Sequence, residues 1–252
     1  MFFRNYKLIS LNIITIFTLN SCAVYTPQNT APVFIQKKGE LETSASINTS
    51  TLFATTNLNT SVALGITDKI QTQVSGNFTP FLHIENNLTY QLQGIIGYNF
   101  KINENVSLKP FIGYLYGKTT FEYLDESFGW SGGPYEYKGK YSSTFGKLQL
   151  TINNNSNYWG GNLKIGALNL NDNSYSYIIQ PTTPTTNNSL LVEPSIFYSQ
   201  SLNNNLRFYI SYAYSFLNIK QHNPNVVYNN PSGSFAIGIT YSIGRKNQKY
   251  VN

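Results

Sequence analysis

Alternation with a period of two is the feature that most narrows what this chain can fold into. Leu206, Phe208, Ile210, Tyr212, Tyr214 and Phe216 share one phase of a segment, and Phe235, Ile237, Ile239, Tyr241 and Ile243 share one phase of the next, opposite Ser234, Ala236, Gly238, Thr240 and Ser242. Successive side chains on a strand point to opposite faces, so each segment has one apolar face and one small or polar face. The pattern begins after Gly39, with Leu41, Thr43, Ala45 and Ile47 against Glu40, Glu42, Ser44, Ser46 and Asn48. It recurs at Val62 to Ile66, Ile70 to Phe78, Leu88 to Phe100, Val106 to Lys118, Tyr141 to Ile152, Tyr158 to Leu170 and Leu190 to Ser199. No apolar run reaches the length of a membrane-spanning helix. With 15% aromatic residues, 18 Gly and only 11% charged side chains, the composition suits strands and turns.

Connector lengths select the architecture. Thr67 to Lys69, Lys101 to Asn105, Asn153 to Asn157 and Ser201 to Asn205 are short and Asn-rich, whereas Thr119 to Lys140, Asn171 to Ser189 and Asn218 to Gly233 are long. Short and long links alternate, which in an up-and-down meander puts all short turns at one end and long loops at the other, the asymmetry of outer-membrane barrels. The expected fold is therefore all-β: a single closed antiparallel up-and-down β-barrel of about ten strands, eight being the other count, of the transmembrane outer-membrane type. Segments of about 9 to 11 residues match a tilted crossing. Tyr98, Phe100, Tyr158, Trp159, Tyr198, Phe208 and Tyr241 fall near the short turns, and Tyr114, Tyr116, Tyr214 and Phe216 toward the long loops, as two interfacial girdles would. The competing architecture is a lipid-anchored soluble barrel of lipocalin type holding an apolar ligand, with the apolar phase turned inward.

The N-terminus carries an address. Arg4 and Lys7 precede the uncharged stretch Leu8 to Leu19, and Leu19-Asn20-Ser21-Cys22 follows at once. Cys22 is the only cysteine, so an internal disulfide is excluded. The four residues resemble a bacterial lipobox, which implies cleavage before Cys22 and attachment of lipid to its sulfur. The layout expected is a signal peptide over 1–21, a lipidated tether over 22–39 containing Pro27 and Pro32, the barrel over 40–244 and a basic tail over 245–252. Ala23 to Gln28 carry no acidic residue, in keeping with an N-terminus held on the periplasmic side with the short turns.

Ser21-Cys22, Tyr25 with Pro27, Ala31-Pro32, Lys38-Gly39-Glu40 and the run Ala63-Leu64-Gly65-Ile66-Thr67-Asp68-Lys69-Ile70 together resemble the opening of small outer-membrane β-barrel lipoproteins of Bacteroidota. The resemblance covers about a fifth of the chain. It implies an outer-membrane location and no established activity.

Motifs of catalysis are missing. Gly117-Lys118-Thr119 ends like a phosphate-binding loop, but Ile112 stands where its first glycine belongs. His83 and His222 have no His or Cys at ligand spacing, and no G-x-S-x-G occurs, so neither an enzyme, a metal site nor a cofactor is expected. His83, Glu85, Asp125, Glu126, Asp172 and His222 gather in the half that a rim hydrolase would use, the weakest of the alternatives. The 17 Lys and Arg against 11 Asp and Glu are scattered rather than striped, which excludes a nucleic-acid face. Two candidate sites remain. One is a luminal charge network on the inward phase: Glu42, Lys109, Lys147, Lys164, Glu193 and Arg207, with Glu40, Gln91, Gln93 and Gln149, and bulky Phe111, Phe145, Phe197 and Tyr209. It reads as a salt-bridged plug, or else as the lining of a small pore. The other is the long loop in which Tyr123, Phe128, Trp130, Tyr135 and Tyr137 surround Ser131-Gly132-Gly133-Pro134, suited to an extracellular ligand or protein. Lys118, Lys138, Lys140 and Lys220 at the same rim suit lipopolysaccharide phosphates. The expected role is structural or surface-interacting, as a monomer in outer-membrane lipid, with the long loops extracellular.

Overall fold

The computed structural model describes residues 30–50, 56–78, 88–124, 134–154, 156–176, 185–217 and 232–244. Cys22 and its surroundings, the tail 245–252 and the tips of the long loops lie outside these residues. Ten strands follow one another: β1 (Leu41–Ser50), β2 (Thr56–Gly65), β3 (Ile70–Phe78), β4 (Leu88–Tyr98, resuming as Phe100–Lys101), β5 (Val106–Leu124), β6 (Pro134–Asn154), β7 (Asn157–Ser176), β8 (Thr185–Ser201), β9 (Leu206–Leu217) and β10 (Ser232–Ile243). Each pairs antiparallel with the next, and β10 returns to β1 from Leu41↔Ile243 to Ser50↔Ser234, so the sheet closes without an edge.

The short turns are built by their own side chains. Asn103 Oδ1 accepts from the amides of Asn105 at 2.9 Å and Val106 at 2.8 Å, and Asn203 Oδ1 does the same for Asn205 and Leu206 at 2.9 and 2.8 Å. Thr67 Oγ1 accepts from Lys69 and Ile70. Each capping oxygen mimics a backbone carbonyl, which is why Asn and Thr recur there.

Length is where the sequence reading needs correction. β5, β6, β7 and β8 run 19, 21, 20 and 17 residues, beyond the 9–11 of a crossing. The stretches read as loops from Thr119 to Lys140 and from Asn171 to Ser189 are in large part continued hairpin, with Leu124↔Pro134 and Asp172↔Thr185 still in register. Alternation fades there in the sequence, while the ladder of backbone pairing continues.

The burial pattern is inverted relative to a soluble protein. Ile47, Val74, Ile112, Ile165, Ile196, Ile237 and Ile239 are exposed on the outer wall, Ile112 at 69% and Ile196 at 67%. Glu42, Asn48, Asn59, Gln71, Gln73, Gln91, Gln149, Arg207 and Ser234 are buried inside. The outer apolar band is bounded by rings on both sides: Tyr98 with Phe100 and Trp159 with Tyr198, each pair at 4.4 Å, near the short turns, and Tyr90 with Tyr116 and Tyr214 with Phe216 toward the long hairpins. One ring assigned to the girdle in the sequence belongs elsewhere. Tyr158 is 3% exposed and points into the lumen, since its neighbour Trp159 takes the outward phase.

A narrow barrel must alternate large and small side chains inside, and here the rule is met across strand pairs. Gly97 faces Phe111, Gly113 faces Phe145, Gly117 faces Tyr141, Gly160 faces Phe197 and Gly238 faces Tyr209. A Cβ added at Gly160 would run into the Leu150 carbonyl oxygen and the Phe197 ring. Backbone cannot step aside, so Gly160→Ala is expected to cost about 1–3 kcal/mol, read as a lower unfolding midpoint in detergent. An unchanged midpoint would contradict this packing.

Candidate functional site: the barrel lumen

The lumen holds a piece of the chain itself. Residues 30–36, read in the sequence as part of a tether, run inside the barrel alongside β1; Val33 is 0% and Ile35 2% exposed. Pro32 and the lack of period leave this segment no sheet partner, and its main chain is satisfied by side chains of the wall instead. Lys109 Nζ donates to the carbonyls of Val33 at 2.8 Å and Ile35 at 3.2 Å. Gln149 donates to the Val33 carbonyl at 2.9 Å and accepts from the Val33 amide at 3.3 Å. Gln73 donates to the Ala31 carbonyl at 3.1 Å, Glu42 accepts from the Phe34 amide at 2.8 Å, and Glu40 accepts from the Gln36 amide at 2.7 Å. The reversal from this segment into β1 uses Gly39, whose φ of +77° suits glycine, with its amide bonded to the Gly65 carbonyl at 2.8 Å.

Side chains of the segment complete the seal. Val33 and Ile35 join Ala63, Ile95, Phe111 and Phe145 in one apolar cluster. Phe34 lies 4.9 Å from the Tyr158 ring and 5.9 Å from that of Phe197, and the Arg207 guanidinium lies 4.8 Å from Phe34 and 5.0 Å from Tyr158. Sequence reasoning did not place Val33, Phe34 and Ile35 here; the signal available was a run of large apolar residues inside a segment read as a tether.

The charged residues singled out in the sequence are all inside: Glu42, Lys109, Lys147, Lys164, Glu193 and Arg207 are each 5% exposed or less. Arg207 pairs with Glu42 at 3.0 Å and Lys164 with Glu193 at 3.5 Å. Lys147 and Lys164 are directly opposite on β6 and β7, and Glu193 is opposite Lys164 on β8. Lys147 departs from the salt-bridged expectation: its ammonium has no hydrogen-bond partner and sits 5.6 Å over the Phe111 ring. Lys109 is occupied by the carbonyls of the luminal segment. Desolvating these charges is costly, and the pairs and backbone contacts offset that cost.

The segment divides the lumen. On the short-turn side a cavity of about 570 Å³ is lined by Gln36, Asn99, Lys101, Glu104 and Lys109 and ends at Phe34. Past the segment a space of about 10 Å³ is left among Thr30, Gln93, Lys147, Asn162, Lys164 and Glu193. That is room for about one water and excludes a hydrated ion.

Of the loop candidates, Phe128 and Trp130 lie outside the described residues, as do the side chains of Tyr123, Tyr135 and Tyr137; on the backbone Tyr123 is in register with Tyr135, and Tyr137 with Phe121. His83, Glu85, Asp125, Glu126, His222 and Lys220 also lie outside, together with the side chains of Asp172 and Lys138. Lys118 and Lys140 stand opposite each other on β5 and β6.

No family model and no curated protein matches the sequence. Solved structures do resemble the fold. The outer membrane protease OmpT from Escherichia coli is 13% identical with a TM-score of 0.52, covering 81% of this chain and 94% of its own. The translocator domain of the autotransporter NalP from Neisseria meningitidis is 9% identical with a TM-score of 0.47, covering 94% and 95%. The attachment invasion locus protein Ail of Yersinia pestis is 14% identical with a TM-score of 0.38, covering 82% and 99%. The closed antiparallel ten-strand barrel thus has the fold of outer-membrane barrels.

Proposed function

We propose that this chain is an outer-membrane β-barrel lipoprotein, anchored by acylation of Cys22, with a structural and surface-interacting role and no catalytic one. The observation that carries the reading is the exposed aliphatic belt bounded by aromatic rings, around an interior that buries Glu42, Lys109, Lys147, Lys164, Glu193 and Arg207. In water such a belt would be a large aggregation-prone patch; in hydrocarbon it is the required surface. A groove of about 420 Å³ on the outer wall, lined by Trp159, Ile196, Tyr198, Ile210 and Phe235, suits an acyl chain. The lipocalin-like alternative needs an outer wall suited to water, and the exposed Ile47, Val74, Ile112, Ile196 and Ile239 oppose it.

In this reading the short turns, with Gly39 and Gly244 beside them, face the periplasm. The long hairpins of β5 to β8 stand outside the cell and offer Tyr123, Phe128, Trp130, Tyr135 and Tyr137 to an extracellular ligand or protein. Lys118 and Lys140 face one another just above the Tyr90–Tyr116 rings, at the level of lipid phosphates. Like charges opposed on a sheet repel, and an anion between them relieves the repulsion. The barrel acts as a monomer.

The test is location. Cells expressing the chain with an epitope inserted at residue 130 and, separately, at residue 204 are fractionated and treated with protease while intact. Outer-membrane recovery, with the tag at 130 cleaved and that at 204 protected, is expected. Recovery in a soluble periplasmic fraction, or cleavage at 204 alone, would overturn the reading.

A further inference from the structure

We propose that the cavity at the short-turn mouth of the lumen is a binding site for a small saccharide. That this mouth opens on the periplasm rests on the membrane-spanning reading above; the site itself goes beyond it.

The cavity is blind. Phe34 and Tyr158 close its inner end, and beyond them the lumen is filled by residues 30–36 and then by the buried side chains of Leu115, Tyr141, Phe145, Leu168 and Leu191. Such a space holds a ligand rather than passing one. Its volume of about 570 Å³ lies within the range of small-molecule sites, about 300–1,000 Å³.

The lining suits hydroxyl groups. Lys101, Ser107 and Thr151 stand in one row across β4, β5 and β6, because Lys101 is in register with Ser107 and Ser107 with Thr151. They take the inward phase, and Phe100, Leu108 and Leu150 in the next row take the outward one. Asn99 and Asn153 keep the inward phase on either side of Lys101 and Thr151. Each does its structural work with its main chain: the Asn99 amide donates to the Lys69 carbonyl and the Asn153 amide to the Asn105 carbonyl, both at 2.7 Å. Their side-chain oxygens have no partner among the described residues, although Asn99 is only 7% exposed. An unpaired amide at such a place costs free energy that a ligand hydroxyl recovers.

The floor and the charge balance narrow the class. Phe34 and Tyr158, 4.9 Å apart, offer ring carbon to the C–H face of a sugar. Of the two lysines in the lining, Lys109 is taken up by the Val33 and Ile35 carbonyls, and Lys101 is offset by Glu104. Amides and hydroxyls that both donate and accept, beside aromatic carbon and without a net charge to spare, fit a polyhydroxyl ligand rather than an anion or a fatty chain. Acetamido sugars add an amide that matches the Asn side chains, and a periplasmic mouth meets them in peptidoglycan.

The experiment is flow dialysis of tritiated di-N-acetylchitobiose against the full-length protein in detergent, together with co-sedimentation on purified peptidoglycan sacculi. The Asn99→Ala/Asn153→Ala variant removes the two unpaired amides, and Ser107→Trp fills the cavity. Parent and variants are first checked for heat-modifiable gel migration, the mark of a folded barrel. The parent is expected to bind saturably, and the double variant to bind about tenfold or more weakly, the value of two neutral hydrogen bonds. Ser107→Trp is expected to weaken binding at least as much by obstruction. Sacculi that retain the parent and release both variants identify the ligand as cell-wall glycan; disaccharide binding without retention on sacculi identifies a free sugar, and either result supports the site. A folded parent that binds neither probe, or folded variants that bind as well as the parent, would overturn it. Cleavage at residue 204 in intact cells would overturn the orientation instead, and leave the binding result standing.

Discussion

Ile112→Lys is expected to abolish or severely slow insertion of the barrel while leaving its solubility in urea unchanged. Ile112 is 69% exposed, on β5, with Ile96 and Gly146 as its strand neighbours, within the band between the two sets of rings. On a protein surface facing water, exchange of an exposed isoleucine for lysine changes stability by about 0.5 kcal/mol or less. On a lipid-facing wall near the midplane it costs about 2–4 kcal/mol. The two cases therefore differ by more than a factor of ten in the folding equilibrium. Glu104→Lys, in an exposed short turn, introduces the same charge outside the band and is expected to fold normally. The measurement is the fraction of heat-modifiable protein formed in lipid vesicles; equal folding of both variants would mean that the outer wall does not face hydrocarbon.

The second large effect is inside. Arg207 is 1% exposed, donates to Glu42 at 3.0 Å and lies against the rings of Phe34 and Tyr158. Arg207→Ala leaves the buried carboxylate of Glu42 with the Phe34 amide at 2.8 Å and the Ser242 hydroxyl at 3.3 Å, but without its cation. An uncompensated buried charge costs about 3–5 kcal/mol. Removing both charges together, as Glu42→Gln with Arg207→Met, is expected to recover a substantial part of that loss, because packing volume is kept and no ion is stranded. Urea titration of the folded band reads both. A single variant as stable as the parent, or a double variant worse than the single, would show that the pair does not organise the lumen.

Much of this is legible in the chain itself. A period of two distinguishes two faces, and the phase that carries Lys109, Lys147, Lys164 and Glu193 also carries Gln149 and Phe145, so the inner wall could be written out strand by strand. Asn103 and Asn203 mark their turns because the side-chain oxygen replaces a backbone acceptor, a purely local effect. What stayed hidden was long-range. The partners of Val33 are Lys109 and Gln149, 76 and 116 residues away, and no local pattern ties an irregular segment to a wall it reaches only after the barrel closes. Tyr158 and Trp159 are adjacent aromatics with opposite directions, and only pairing of Trp159 with Tyr198 decides which of them meets lipid. The glycine and aromatic pairs likewise need the register before Gly160 and Phe197 can be seen as one unit. The continued hairpins of β5 to β8 lack the alternation that an apolar surrounding imposes, and so read as loop.

The central claim, that the apolar phase of the barrel faces lipid, is tested most directly at Trp159, which is 55% exposed in the ring near the short turns. The chain has two tryptophans, so Trp130→Phe leaves Trp159 as the sole indole. Its fluorescence is measured in vesicles of phosphatidylcholine and of the same lipid brominated along the acyl chains. Strong quenching, greatest for bromines nearest the headgroup, is the predicted result. Emission that is indifferent to bromine in protein shown to be bound to the vesicles would contradict the account.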